Sequence, residues 1–123
     1  MTMLLSDCMR RSPDRIVIGE VKDGTAHTML KAWNTGHPGS ACTVHANGAL
    51  DALTRIRELA LEGGAHKDFI LSLIGSAINV VGSIVHVILP SGIKTRRVDE
   101  IIVIKGYDEN RKKFIYQRIG SVK

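Results

Sequence analysis

Residues 69–89 run for 21 positions without an Asp, Glu, Lys or Arg, and no other feature constrains the fold so strongly. That is long enough for a membrane-spanning helix. The polar content argues against one. Ser72, Gly75, Ser76, Asn79, Gly82, Ser83 and His86 are each costly in hydrocarbon or weak in a helix. The pattern also changes midway. Ile70, Leu73, Ile74, Ala77 and Ile78 keep helical spacing, whereas residues 83–89 are β-branched and strand-like. The run predicts a helix over about 67–78 followed by a strand to Leu89.

The same reading extends to both sides. Met1, Leu4, Leu5 and Cys8 recur at helical spacing and predict an amphipathic helix with Cys8 on its buried face. A chain that opens on a core-facing helix suggests that Met1 lies inside a larger domain. Residues 15–19 form a short apolar run and predict a buried strand. Asp23 or Thr25 can cap a helix that stops near Asn34, before Gly36 and Pro38. A second strand is expected over 41–45. Asn47 then caps a helix ending at Gly63-Gly64, with Asp51 and Arg55 as an i, i+4 pair. Beyond Pro90-Ser91-Gly92, residues 95–105 return as a strand with Val98, Ile102 and Ile104 on one face, and 113–119 as another. The expected fold is α/β: parallel strands alternating with helices, then an antiparallel three-stranded meander.

Composition narrows the function classes. The chain has 123 residues, 44% hydrophobic and 24% charged, which excludes wholesale disorder and fits one domain. Two cysteines exclude a disulfide scaffold and suggest a reducing compartment. A net charge of +5 allows an anionic partner, but the basic residues are spread along the chain. Arg96-Arg97 and Arg111-Lys112-Lys113 read as solvated charge, His66 as surface, His27 as solvent-facing and His86 as core.

Two segments carry chemistry. The strand Arg15-Ile-Val-Ile-Gly19 ends on Glu20, which puts a carboxylate at the carboxyl edge of a parallel sheet, where such folds bind ligands. A carboxylate there can hold Mg²⁺, directly or through water, or orient an attacking water. The second segment, Asn34-Thr-Gly-His-Pro-Gly-Ser-Ala-Cys-Thr-Val-His-Ala-Asn47, places His37 in a Gly/Pro loop and His45 at a strand end. Histidines so placed can donate to developing phosphate charge. Cys42 and His45 have a plausible zinc gap, but a strand would point them to opposite faces, and no fourth ligand is evident.

Ser12-Pro-Asp-Arg-Ile-Val-Ile-Gly-Glu-Val-Lys-Asp23, followed by Leu30-Lys-Ala-Trp and the His37–His45 segment, resembles the secretion ATPase superfamily, the hexameric motors of type II and type IV secretion and of conjugation. The wording is most similar to the conjugal-transfer members, and the resemblance runs through nearly the whole chain. It implies the C-terminal part of a RecA-like P-loop NTPase domain over 1–123. Within it, 15–20 is the Walker B box, 34–47 the His box, and 48–123 the C-terminal helices and meander. It implies catalytic roles for Glu20, His37 and His45, with Glu20 also serving Mg²⁺, possibly through water. Arg10 and Lys22 match positions that contact nucleotide phosphate, although Lys22 replaces the usual arginine and loses its bidentate fork. ATP and Mg²⁺ are the implied cofactors of the complete motor. A hexameric ring at the cytoplasmic face of the inner membrane, serving secretion or conjugation machinery, is the implied assembly. Sequence-specific DNA binding is not expected.

One motif is missing. No Gly-x-x-x-x-Gly-Lys-Ser/Thr occurs, and the nearest string, Gly19 to Gly24, lacks the lysine and follows the wrong strand. The resemblance places the phosphate loop and an N-terminal domain upstream of the matching portion. The isolated chain is therefore expected to be inactive and to expose an apolar sheet edge where the phosphate-loop strand would pair. A non-catalytic subunit-interaction module and a small basic nucleic-acid-binding domain remain as alternatives.

Overall fold

The structure is a computed structural model that describes residues 2–121. Met1 of the expected amphipathic face lies outside them. The order is α1 (Thr2–Arg10), β1 (Val17–Ile18), α2 (Thr25–Asn34), β2 (Ala41–Cys42), α3 (Ala49–Glu62), α4 (Ile70–Ala77), β3 (Val80–Ile88), β4 (Lys94–Asp108) and β5 (Lys113–Ser121). This is the α/β order anticipated above. The uncharged run divides into α4 and β3, and no helix among the described residues is long and apolar enough to cross a membrane.

Two separate sheets result. β1 and β2 pair in parallel, with Val17 opposite Ala41 and Ile18 opposite Cys42. β3, β4 and β5 form the antiparallel meander. Helix α2 packs on both α3 and α4, and α4 lies on β4. Met29 and Leu30 of α2, Leu53 and Leu59 of α3, Ile70 and Ile74 of α4 and Ile102 of β4 form the fully buried centre. The helices could not meet this closely with larger residues at one crossing. A Cβ on Gly63 would lie 2.0 Å from the Gly24 carbonyl oxygen, and one on Gly24 would lie 2.7 Å from the Gly63 Cα. Backbone touches backbone there, with no flexible side chain to yield.

Several local expectations are corrected. Helix α1 turns Leu5 inward, with Met9 packed against the core, while Leu4 and Cys8 face solvent. Asp51 accepts a hydrogen bond from the Asn47 backbone N–H at 2.9 Å, the reverse of the expected cap, and Arg55 reaches Glu58 instead of Asp51. The α3 amino terminus is completed from elsewhere: Ala49 N–H donates to Glu100 Oε1 at 2.9 Å, across 51 residues of sequence. Glu100 also takes Arg118 Nε on its other oxygen, tying β4 to β5.

Val98 does not share a face with Ile102. Ser83 pairs with Glu100 but Ile84 with Val98, so Asp99 is an extra residue that inverts the alternation. His86 is exposed, not core, because β3 alternates between exposed and half-buried residues over its whole length. His27 is half-buried, with its Nδ1 3.3 Å from the Gly63 carbonyl.

Asp23 caps α2: its Oδ1 accepts from the Thr25 N–H at 2.9 Å and also from the Thr25 hydroxyl. These bonds hold its carboxyl below the ordinary value of 3.8. A carboxyl lowered in the folded state stabilises above its unfolded pKa and loses that contribution as pH falls through the folded one. Asp23→Ala is expected to cost about 1 kcal/mol at neutral pH in thermal unfolding, with the deficit closing in acid below about pH 4. Gly63→Ala is expected to cost about 1–3 kcal/mol by overpacking in the same measurement.

Candidate nucleotide-site half

The site begins with the β1/β2 pairing. Beyond the two regular bridges, Ala41 N–H donates to Ile16 O at 3.1 Å and Val21 N–H to Thr43 O at 2.9 Å. Side chains then extend the match at both ends. At the amino edge, Ile16 N–H donates to Ser40 Oγ, and that hydroxyl donates to the His37 carbonyl, each at 2.8 Å. At the carboxyl edge, the Thr43 hydroxyl donates to the Gly19 carbonyl. Thr43 thus clamps both residues flanking Glu20.

Glu20 and His45 meet at that carboxyl edge, with His45 Nε2 2.8 Å from Glu20 Oε1. A carboxylate only accepts, so Nε2 carries the hydrogen in this contact. The side chains are 95% and 40% exposed for His45 and Glu20, so the pair is a solvated one worth little to folding. Its use is positional. A carboxylate and an imidazole stand side by side at the carboxyl ends of adjacent parallel strands.

His37 lies elsewhere. Its Nδ1 is 2.8 Å from the Pro13 carbonyl, in the loop entering β2 and against the segment entering β1. The acceptor there is a carbonyl, so Nδ1 holds the hydrogen and Nε2 is left available. Five residues of extended chain separate Ser40 from His45, roughly 16 Å. His37 is half-buried and shares a hollow of about 570 Å³ with Arg15 and Asp14. Arg15 also packs on Gly39, whose Cβ would come within 3.0 Å of its Nε and whose φ of +75° suits glycine. Arg10 is exposed at the end of α1, 3.9 Å from Asp7, and Lys22 is exposed just past Glu20.

A larger cleft of about 700 Å³ opens between β2 and β3, lined by residues that include Cys42, Thr43, Val44, Val81 and Ile84. It lies beside β2, which pairs only with β1 among the described residues. Trp33 also lines this cleft, and its indole N–H is buried without an acceptor. Burial pushes the Cys42 thiol up to about 11, which keeps it protonated and a poor metal ligand. No group of three His, Cys, Asp or Glu gathers among the described residues. A lone, half-exposed Glu20 fits Mg²⁺, which retains most of its water and needs only one or two carboxylates.

The sequence matches the family described as "Type II/IV secretion system protein" over residues 1–121. The chain belongs to that family. Among secretion-family relatives it is 49% identical over 110 residues to the conjugal transfer protein TrbB of Rhizobium radiobacter, covering 89% of this chain and 32% of that protein. It is 40% identical over 82 residues to the type IV secretion system protein VirB11 of Bartonella quintana, covering 63% of this chain and 23% of that one. The chain thus spans about a third or less of the length of these relatives. The crystal structure of the Brucella suis VirB11 ATPase in complex with sulphate superposes with a TM-score of 0.72 at 24% identity, over 81% of this chain and 30% of that one. The Yersinia pseudotuberculosis ATPase DotB gives a TM-score of 0.67 at 20% identity, over 81% and 25%. These likenesses establish the fold.

Two participants escaped the sequence reading. Thr43 lay inside the segment already singled out, but only the pairing register shows it clamping Gly19. Arg15 reads as a strand-opening charge until Gly39 is brought against it. His45→Ala is expected to shift unfolding stability by less than about 0.5 kcal/mol, because the lost pair is solvent-exposed. The check is paired thermal or denaturant unfolding of the two proteins.

Proposed function

We propose that this chain carries the hydrolytic half of a nucleotide site of the secretion-ATPase kind, and that the phosphate-binding half comes from elsewhere. The observation that carries the reading is the 2.8 Å pairing of Glu20 with His45 at the carboxyl ends of two parallel strands. In this role Glu20 accepts a hydrogen bond from the attacking water and orients it in line with the terminal phosphate. His45 Nε2 holds the carboxylate in place, and its imidazole can turn to a phosphate oxygen as charge develops there. Mg²⁺, when bound with nucleotide, would neutralise phosphate charge, with Glu20 reaching it through water. His37, held by Pro13 at the opposite edge, serves better as a contact between neighbouring subunits than as a partner of Glu20. The same remoteness favours Arg10 acting across a subunit boundary, whereas Lys22 stands near enough to Glu20 for phosphate in the same site.

The family relatives named for conjugal transfer and type IV secretion support a role in one of those processes. A hexameric ring, peripheral at the cytoplasmic face of the inner membrane, is the assembly this reading entails. The absence of a Gly-x-x-x-x-Gly-Lys-Ser/Thr string in 123 residues supports its second part. Positioning supplies most of phosphoryl-transfer catalysis, and the main cradle for the phosphates is not present.

The purified chain is therefore expected to show no ATP turnover above that of its Glu20→Gln variant. Steady turnover that Glu20→Gln abolishes would refute the claim that another segment must supply the phosphate loop. Binding to a full-length relative without nucleotide would instead favour the interaction-module reading.

A further inference from the structure

The β3–β4 hairpin continues past the rest of the meander. Among the described residues, β5 pairs with β4 only from Asp108 to Glu100. Residues 84–98 therefore form a two-stranded ribbon on their own, and every residue from 88 to 98 is exposed. Its tip is closed firmly: Leu89 N–H donates to Ile93 O at 2.9 Å, and Gly92 N–H to Leu89 O at 2.8 Å.

What this ribbon exposes is unusual for a surface loop. Ile84, Ile88 and Ile93 are 65%, 70% and 60% exposed, and Leu89 and Val98 are also open to solvent. Cross-strand pairing brings Ile84 beside Val98 and Ile88 beside Lys94 on one face, because opposed residues of an antiparallel pair point the same way. Lys94 and Arg96 stand on that face and Arg97 on the other, so cations flank the apolar tip on both sides. No Asp or Glu occurs between residues 69 and 98. An isolated two-stranded ribbon is marginal in water, and an open row of aliphatic side chains adds to its cost.

We propose that the tip of this hairpin docks on an anionic lipid surface, with Ile88, Leu89 and Ile93 entering the interface while Lys94, Arg96 and Arg97 meet the headgroups. The chemistry favours lipid over the other anionic polymer, nucleic acid. Residues 70–106 contain no Phe, Tyr or Trp on which a base could stack, and a projecting tip offers no groove for a backbone. Aliphatic side chains collared by Lys and Arg suit the boundary between acyl chains and acidic headgroups. The closed turn presents them preorganised. This inference does not rest on the nucleotide reading, since Glu20 and His45 lie on the parallel pair.

The test is co-sedimentation of the 123-residue chain with vesicles of phosphatidylglycerol and phosphatidylcholine, against vesicles of phosphatidylcholine alone. Binding is expected to the acidic vesicles and to weaken with added salt. Arg96→Gln with Arg97→Gln should lower it by about 30-fold. Ile88→Asp with Ile93→Asp should lower it at least about tenfold. Met3→Asp, which changes an exposed apolar residue on α1, should leave it unchanged, and circular dichroism should show all variants folded. If the hairpin Asp pair does not fold, the arginine pair alone decides. Equal binding to both vesicle types, equal loss with Met3→Asp, or full retention by the arginine pair would each overturn the proposal. So would duplex DNA displacing the chain from the vesicles at equal phosphate concentration.

Discussion

The parallel pairing of β1 with β2 is the constraint on which the functional geometry depends. It contains only two regular bridges, yet it decides that the residues after both strands emerge at the same edge. Glu20 follows β1 and His45 follows β2, so their encounter follows from strand direction. Backbone pairing this short would leave the ends loose. Ser40 and Thr43 prevent that, one bonding to the residue that enters β1 and the other to the residue that leaves it. The chemistry is thus held by two hydroxyl groups as much as by the ladder.

The order of elements was legible because each depends on local pattern. Helical spacing in α2, α3 and α4, the turn at 90–92 and the Gly/Pro stops are properties of adjacent residues. What resisted reading was whatever depends on distant partners. The extra residue at Asp99 inverts the face on which Val98 lies, and nothing local announces it. His86 looked buried because its neighbours are apolar, but the ribbon has no third layer over that side. The strands β1 and β2 proved shorter than their apolar runs, since each has a single partner among the described residues. At the site, Glu20 and His45 were legible from motif and strand ends. The separation of His37 from them was not, because it depends on Pro13 receiving its imidazole.

The two sheets divide the labour. The parallel pair carries the groups suited to phosphate chemistry, and the meander carries mass, curvature and the projecting ribbon. Between them lies a cleft of about 700 Å³, bordered by β2 on one side and β3 on the other. Parallel strands are ordinarily paired and covered on both sides. A two-stranded parallel sheet beside an open cleft is therefore an incomplete layer, and the cleft marks where its continuation would fit.

The Glu100 carboxylate has a consequence for how the chain folds. The amino terminus of a helix is ordinarily capped by a residue beside it, which lets the helix start on its own. Helix α3 instead receives its acceptor from a strand 51 residues later, on a carboxylate that also binds Arg118. Closing so long a loop is slow compared with forming a hairpin. The first turn of α3, four residues after His45, settles only once the meander has assembled, so the segment that bears the imidazole is among the last parts of the molecule to become rigid.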